Sequence, residues 1–111
     1  MNKKEIAELI LRRRLQILVH SCLYYEFDTS LVTDATWASW AKELTKLQSD
    51  FPDIASNVKW ADEYVDFDPS TGYNLPVRDP WVTRKARQLM LWNERYKEEK
   101  TNERIRSKSY C

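Results

Sequence analysis

From Ala7 to Tyr25 an apolar side chain returns every three or four positions. The series is Ala7, Leu11, Leu15, Leu18, Cys22, Tyr25, and Ile6, Ile10, Ile17 and Leu23 broaden it. That is the period of one helix face and not of a strand, so residues 3–26 are expected to form a long helix with one buried stripe. Glu5 and Glu8 lie near its N-terminal end, where the helix dipole favours negative charge. Arg12, Arg13 and Arg14 are consecutive and spread over more than half of the circumference. They cannot all face one ligand, and a solvated face is expected for them. A chain with one Gly and four Pro is also too poor in turn-formers for a sheet of many tight turns. An all-α domain is therefore expected, and at 111 residues a single one, 1–111.

The rest of the chain divides into three parts. Ser30 or Thr33 can cap a second helix running from about 34 to 49, whose stripe is Trp37, Trp40, Ala41, Leu44 and Leu47. Phe51-Pro52 ends it, because the residue before a proline avoids the helical region. Helices 3–26 and 34–49 thus form an antiparallel pair over 3–52. Residues 53–79 read mainly as a loop. Within it Asn57–Val65 suits a short helix or an irregular strand, and Gly72 suits a tight turn. Trp60, Tyr64, Phe67 and Tyr73 are placed to pin this loop to the core. Asp79 as cap and Pro80 as first residue then open a long helix, 80–106, with Val82, Ala86, Leu89, Trp92 or Asn93, and Tyr96 on its apolar side.

Charge is segregated. Residues 1–23 carry five bases and two acids, 24–79 four and eleven, and 80–111 nine and four, which gives +3, −7 and +5 and sums to the net +1. Basic ends around an acidic middle suit termini that pack over the centre or present two basic surfaces. Cys22 and Cys111 make neither a disulfide framework nor a metal spacing. No signal peptide or spanning segment is read, so a reducing cytoplasm is the expected location.

Two places carry chemistry. The first is the corner between the first two helices. Tyr24 and Tyr25 end one helix, a short acidic turn follows, and Asp34 and Trp37 open the next. Aromatic faces and a carboxylate can surround one small ligand there, and the same residues also suit plain core packing. The second is the basic helix at the end, where Arg84, Lys85, Arg87 and Arg95, with Trp92 and Tyr96 interleaved, suit contact with nucleic acid. Glu94, Glu98, Glu99 and Glu103 dilute that field, which fits a charge-laced exposed helix or one that meets a larger protein partner. His20 has no Ser or Cys partner at suggestive spacing and reads as structural. Asp62, Glu63, Asp66 and Asp68 lack the spacing of a calcium loop, so no metal is expected.

Residues 23–52 resemble the N-terminal Ia domain of NAD-dependent DNA ligases. The likeness rests on Leu23-Tyr24-Tyr25, Asp28, Val32-Thr33-Asp34-Ala35, Glu43-Leu44-x-x-Leu47 and Pro52, in register without a gap, and a looser echo follows at Asp68-Pro69-Ser70-Thr71. The resemblance implies that the corner grips the nicotinamide mononucleotide half of NAD, with Tyr24, Tyr25, Asp34 and Trp37 as the cofactor-binding residues. A pyridinium ring gains from an aromatic face, and ribose hydroxyls suit a carboxylate acceptor. Trp37 stands where the family has Tyr, Ser30 where it has Pro, and Cys22 where it has an aromatic. Ala38 stands where the family has a second recognising Asp. No Lys-x-Asp-Gly adenylation motif occurs. The implied protein is thus a stand-alone, non-catalytic binding module and not an enzyme. The alternative is a phage-type interaction or inhibitor protein that keeps the corner as a scaffold, a reading that Ala38 favours.

Overall fold

A computed structural model describes residues 1–109, with side chains described for 1–95. Among these residues the chain is all-α. Helices α1 (Lys3–Glu26), α2 (Asp34–Asp50), α3 (Pro52–Ser56) and α4 (Pro80–Ser109) are joined by short turns and by one longer segment, 57–79. That segment contains a single turn of 3-10 helix at Asp62–Tyr64 and no strand. Cys111 lies outside the described residues.

The helix ends follow local chemistry. Asn2 caps α1 by accepting from the Glu5 N–H at 2.9 Å, while its amide donates back to the Glu5 carboxylate at 3.2 Å. At the other end the N–H groups of Phe27 and Thr29 both donate to the Leu23 carbonyl. Asp28 takes the left-handed conformation, φ 48°, that lets the chain reverse there. Thr33, rather than Ser30, caps α2, accepting from the Thr36 N–H at 3.1 Å. Asp79 caps α4 through the N–H groups of Trp81 and Val82. Cross-contacts between α1 and α2 run in opposite order, from Ser21–Trp37 to Arg14–Gln48. The pair is therefore antiparallel, as expected over 3–52.

The buried stripe of α1 is rotated from the expected one. Ile6, Ile10, Arg14, Ile17 and Ser21 form its axis, with Leu18, Cys22 and Leu23 beside it, whereas Ala7, Leu11 and Leu15 are only half-buried. Tyr25 is not in the core at all; it is 39% exposed. Arg14 therefore does not belong to a solvated face. Three and four residues from Ile17 and Ile10, it points inward, and its exposure is 2%. Arg12 is exposed, and Arg13 is half-buried and pairs with Glu43 at 2.8 Å.

A buried guanidinium needs an acceptor for its donors, and the fold supplies neutral ones. Nε donates to the Gln48 side chain at 2.9 Å, Nη1 to the carbonyls of Val58 (3.0 Å) and Lys59 (3.2 Å), and Nη2 to the carbonyl of Ala55 (3.0 Å). The Tyr64 ring lies 5.6 Å from the guanidinium carbon, and its hydroxyl donates to the Arg14 backbone carbonyl at 2.6 Å. Burial pulls the Arg14 pKa below its ordinary value, and Tyr64 and Glu63 draw it partly back. One side chain thus ties α1 to α2, to the end of α3 and to the start of the 57–79 segment.

Beyond Lys59 the segment turns sharply at Trp60, whose φ of 74° is costly for a residue with a Cβ. Tyr64, Leu75 and Val77 then enter the core, with Trp60 and Phe67 half-buried against it. Tyr73 is not among the pins; it is 72% exposed. Val82 and Ala86 seat α4 on the core, and Leu89 and Met90 pack partly against it. Trp92 lies off this stripe, because the buried face at that turn belongs to Met90 and Asn93. Leu91 and Trp92 are each 59% exposed. The expected contribution of Tyr96 and the charged run Lys97–Lys108 concern side chains outside the described residues.

Arg14→Ala should leave the part-buried carbonyls of Val58 and Lys59 without a donor and the Ala55 carbonyl with only its bond from the Val58 N–H. Each unsatisfied group costs about 1–3 kcal/mol, so the loss should be about 2 kcal/mol or more of a total near 5–15 kcal/mol. Urea unfolding should show it, with Arg14→Lys recovering only part because an ammonium lacks the planar fork.

Candidate functional site

The turn after α1 leaves its last side chains standing at an open corner. Tyr24 and Tyr25 pack edge-on, with ring centroids 5.0 Å apart, and remain 58% and 39% exposed. The first two turns of α2 face them with Asp34, Trp37 and Ala38. Between the two helix ends lies a solvent-open cavity of about 380 Å³. Its walls are His20, Ser21, Tyr24 and Tyr25 from α1, Ser30 to Thr33 from the turn, Asp34, Trp37 and Ala38 from α2, and Pro69 to Gly72 from the long segment. The four candidates Tyr24, Tyr25, Asp34 and Trp37 are thus brought to one cavity. The volume falls within the range of small-ligand pockets.

The third wall explains the lone glycine. Asp68 accepts from both the N–H and the hydroxyl of Ser70, at 2.9 and 2.6 Å, and these bonds hold its carboxyl below the usual range. The hydroxyls of Thr71 and Tyr25 share a hydrogen bond of 2.9 Å, and Tyr73 packs edge-on against Tyr25 at 5.7 Å. Gly72 then lies directly on Ser21. A Cβ there would overlap the Ser21 hydroxyl and stand 2.8 Å from the Ser21 Cβ. Gly72 does open a turn, with its carbonyl accepting from Leu75, but its φ is ordinary. Close approach, not left-handed geometry, is what excludes a side chain.

The floor is polar. Ser21 is buried, and its hydroxyl accepts from Trp37 Nε1 at 3.3 Å. That bond fixes the indole in the cavity wall. His20 is also in the wall, although its sequence context marks it only as structural. Its ring tilts against Trp40 at 5.3 Å, and its Nδ1 is buried with no hydrogen-bond partner. Burial lowers its pKa, so it is neutral at pH 7. The spacing of the chain gave no signal for His20 or Ser21. The echo at Asp68–Thr71 and the lone Gly72 were the signals for the third wall.

The arrangement is suited to binding. Aromatic faces come from Tyr24, Tyr25 and Trp37, one carboxylate from Asp34, and hydroxyls from Ser30, Thr33 and Ser70. Among the described residues no hydrogen bond joins His20 to a hydroxyl that it could activate, and no three His, Cys, Asp or Glu side chains gather as metal ligands. The acids Asp62, Glu63 and Asp66 are exposed and lie outside the cavity wall.

Arg84, Lys85, Arg87 and Arg95 are exposed on α4 and do not reach this cavity. Helical rotation puts Arg84, Arg87 and Arg95 on the side away from the core, about Leu91, with Lys85 turned roughly 100° from Arg84. Lys85 lies over the Trp81 ring at 5.6 Å and Arg87 over Phe27 at 5.7 Å. Arg84, Arg87 and Arg95 therefore share one exposed face of α4 with Leu91, Lys85 lies to its side, and none of the four is in the cavity wall. No helix among the described residues is long and apolar enough to cross a membrane. No family model, curated protein or solved structure matches the chain.

Gly72→Ala should force the third wall off Ser21 and lower stability by about 1–3 kcal/mol, as overpacking does; urea midpoints measure it. The pH profile should carry the mark of His20. Its folded pKa lies below the ordinary value, so the unfolded chain binds the proton first. Stability is then present above about pH 6.5 and declines as pH falls through the window beneath it. Thermal melts of His20→Gln should show a flatter profile there.

Proposed function

We propose that the chain is a non-catalytic module that binds the nicotinamide mononucleotide portion of NAD, or free nicotinamide mononucleotide, at the corner between α1 and α2. The observation that carries this reading is the convergence of Tyr24, Tyr25, Asp34 and Trp37, from two helices, on one open cavity of about 380 Å³. A pyridinium ring is flat, aromatic and cationic. It gains about 0.5–2 kcal/mol from an aromatic face and more from a nearby carboxylate. Asp34 can serve both as counter-charge and as acceptor for ribose hydroxyls, bonds of about 1.5–3 kcal/mol when the acceptor is charged. The likeness of residues 23–52 to the ligase Ia domain supports the same ligand. A reducing cytoplasm, where NAD is abundant, is the setting proposed for the module.

A second reading, docking of a larger protein partner as an adaptor or inhibitor would do, is supported by Leu91 and Trp92. Both stand exposed on the outward part of α4, and an exposed Trp is a common anchor at interfaces.

Calorimetric titration with nicotinamide mononucleotide and NAD should give saturable heat. Tyr25→Ala and Asp34→Asn should each weaken binding by about tenfold or more, which is about 1.4 kcal/mol. Absence of heat at millimolar ligand, or affinity unchanged in both variants, contradicts the reading.

A further inference from the structure

Beside the cavity lies a second, shallower concavity on the same side of α2. Ala38 and Pro69 belong to the walls of both. Beyond them the second is lined by Lys42, Thr45, Lys46, Ser49 and Asp50. Asp34, Ala38, Lys42 and Lys46 are each four residues apart, so they form one row along the helix, with a rise of about 6 Å per step. A carboxylate at the cavity is thus followed by a methyl group and then by two ammonium groups. Among the described residues the ion pairs are Arg13–Glu43 and Arg78–Glu26, so neither lysine is neutralised by a partner.

Ala38 is the gate in this row. A longer, acidic side chain at 38 would stand between the cavity and the lysines and repel an anion passing between them. At 38 only a methyl group stands at the border, with Pro69 of the long segment opposite it in the walls of both concavities. Asp34 at one end and Asp50 at the other confine the cationic stretch to Lys42 and Lys46.

We propose that the two concavities act as one groove, in which Lys42 and Lys46 bind the phosphate of a nucleotide whose ring and ribose occupy the cavity. The chain then selects the phosphorylated nucleotide over its nucleoside. This rests on the nucleotide reading of the cavity given above. It turns the alanine at 38 into a determinant of specificity: the site exchanges a second contact to the nucleoside part for access to the phosphate.

The test is calorimetry on the full chain with nicotinamide riboside, nicotinamide mononucleotide and inorganic phosphate. Wild type should bind the mononucleotide about tenfold or more tightly than the riboside, and added salt should shrink the difference because exposed charges are screened. Lys42→Gln/Lys46→Gln should bring the mononucleotide to the affinity of the riboside, with riboside affinity kept within about twofold. Ala38→Asp should erase the preference as well. Both substitutions lie at exposed positions, and circular dichroism checks that the fold is kept. Inorganic phosphate should compete weakly with the mononucleotide and not with the riboside. Riboside and mononucleotide binding equally, or a preference retained in the double lysine variant, overturns the phosphate site while leaving the cavity reading intact. Absence of binding by both nicotinamide ligands overturns the cavity reading and the phosphate site with it.

Discussion

The Arg14 guanidinium is the interaction on which the rest of the structure depends. Residues 57–79 form no strand and only one short helical turn, and from Ala61 to Arg78 their backbone hydrogen bonds close local turns without tying the segment to the helices. Arg14 fixes it instead by gripping the carbonyls of Ala55, Val58 and Lys59 from inside the core. Tyr64 repeats the link in the opposite sense, donating its hydroxyl to the Arg14 carbonyl. Further on, Thr71 meets Tyr25 and Gly72 rests on Ser21. Every one of these attachments is to α1. The third wall of the cavity is therefore set by the same helix that supplies its tyrosines, although more than forty positions separate them in sequence.

Much of this was legible in the residues, and what was not has a physical cause. The helix termini could be read because capping is local: Asp79-Pro80 and Phe51-Pro52 carry their meaning within a few residues. The corner could be read because Tyr24, Tyr25, Asp34 and Trp37 hang on helix ends whose positions those caps decide. The inward turn of Arg14 could not. Periodicity ranks residues by hydropathy, and two overlapping apolar stripes on α1 differ by one position, so the pattern assigns a charged residue to neither. Its burial depends on carbonyls that arrive from a segment with no pattern of its own. Tyr73 failed as a pin for a similar reason, since an aromatic in a loop faces inward only if the backbone path takes it there. The closeness of Gly72 to Ser21 is likewise a tertiary fact that a lone glycine hints at but cannot place.

The site combines features that an ordinary core corner does not need. Two tyrosines stand exposed at the end of a helix, directly after the buried Ser21, Cys22 and Leu23. The indole facing them is fixed by a buried serine, and the loop that completes the cavity is tied to one of the tyrosines by a hydroxyl pair. A preformed aromatic slot with a single carboxylate at its edge lowers the ordering cost of binding a flat cation. Ala38 gives the slot its individual character. Its methyl group borders both the slot and the concavity lined by Lys42 and Lys46, which have no ion-pair partners among the described residues.

The central claim is that this slot holds a nicotinamide ring against the tyrosine and tryptophan faces. Saturation-transfer difference NMR with nicotinamide mononucleotide reads that contact at the ligand itself. On irradiation of the aromatic protons of the protein, the pyridinium protons should receive the strongest saturation and the ribose protons less, and Trp37→Ala should abolish the pattern while the helical circular dichroism is kept. Absence of transfer at millimolar ligand, or equal transfer to all ligand protons that persists in Trp37→Ala, would contradict it.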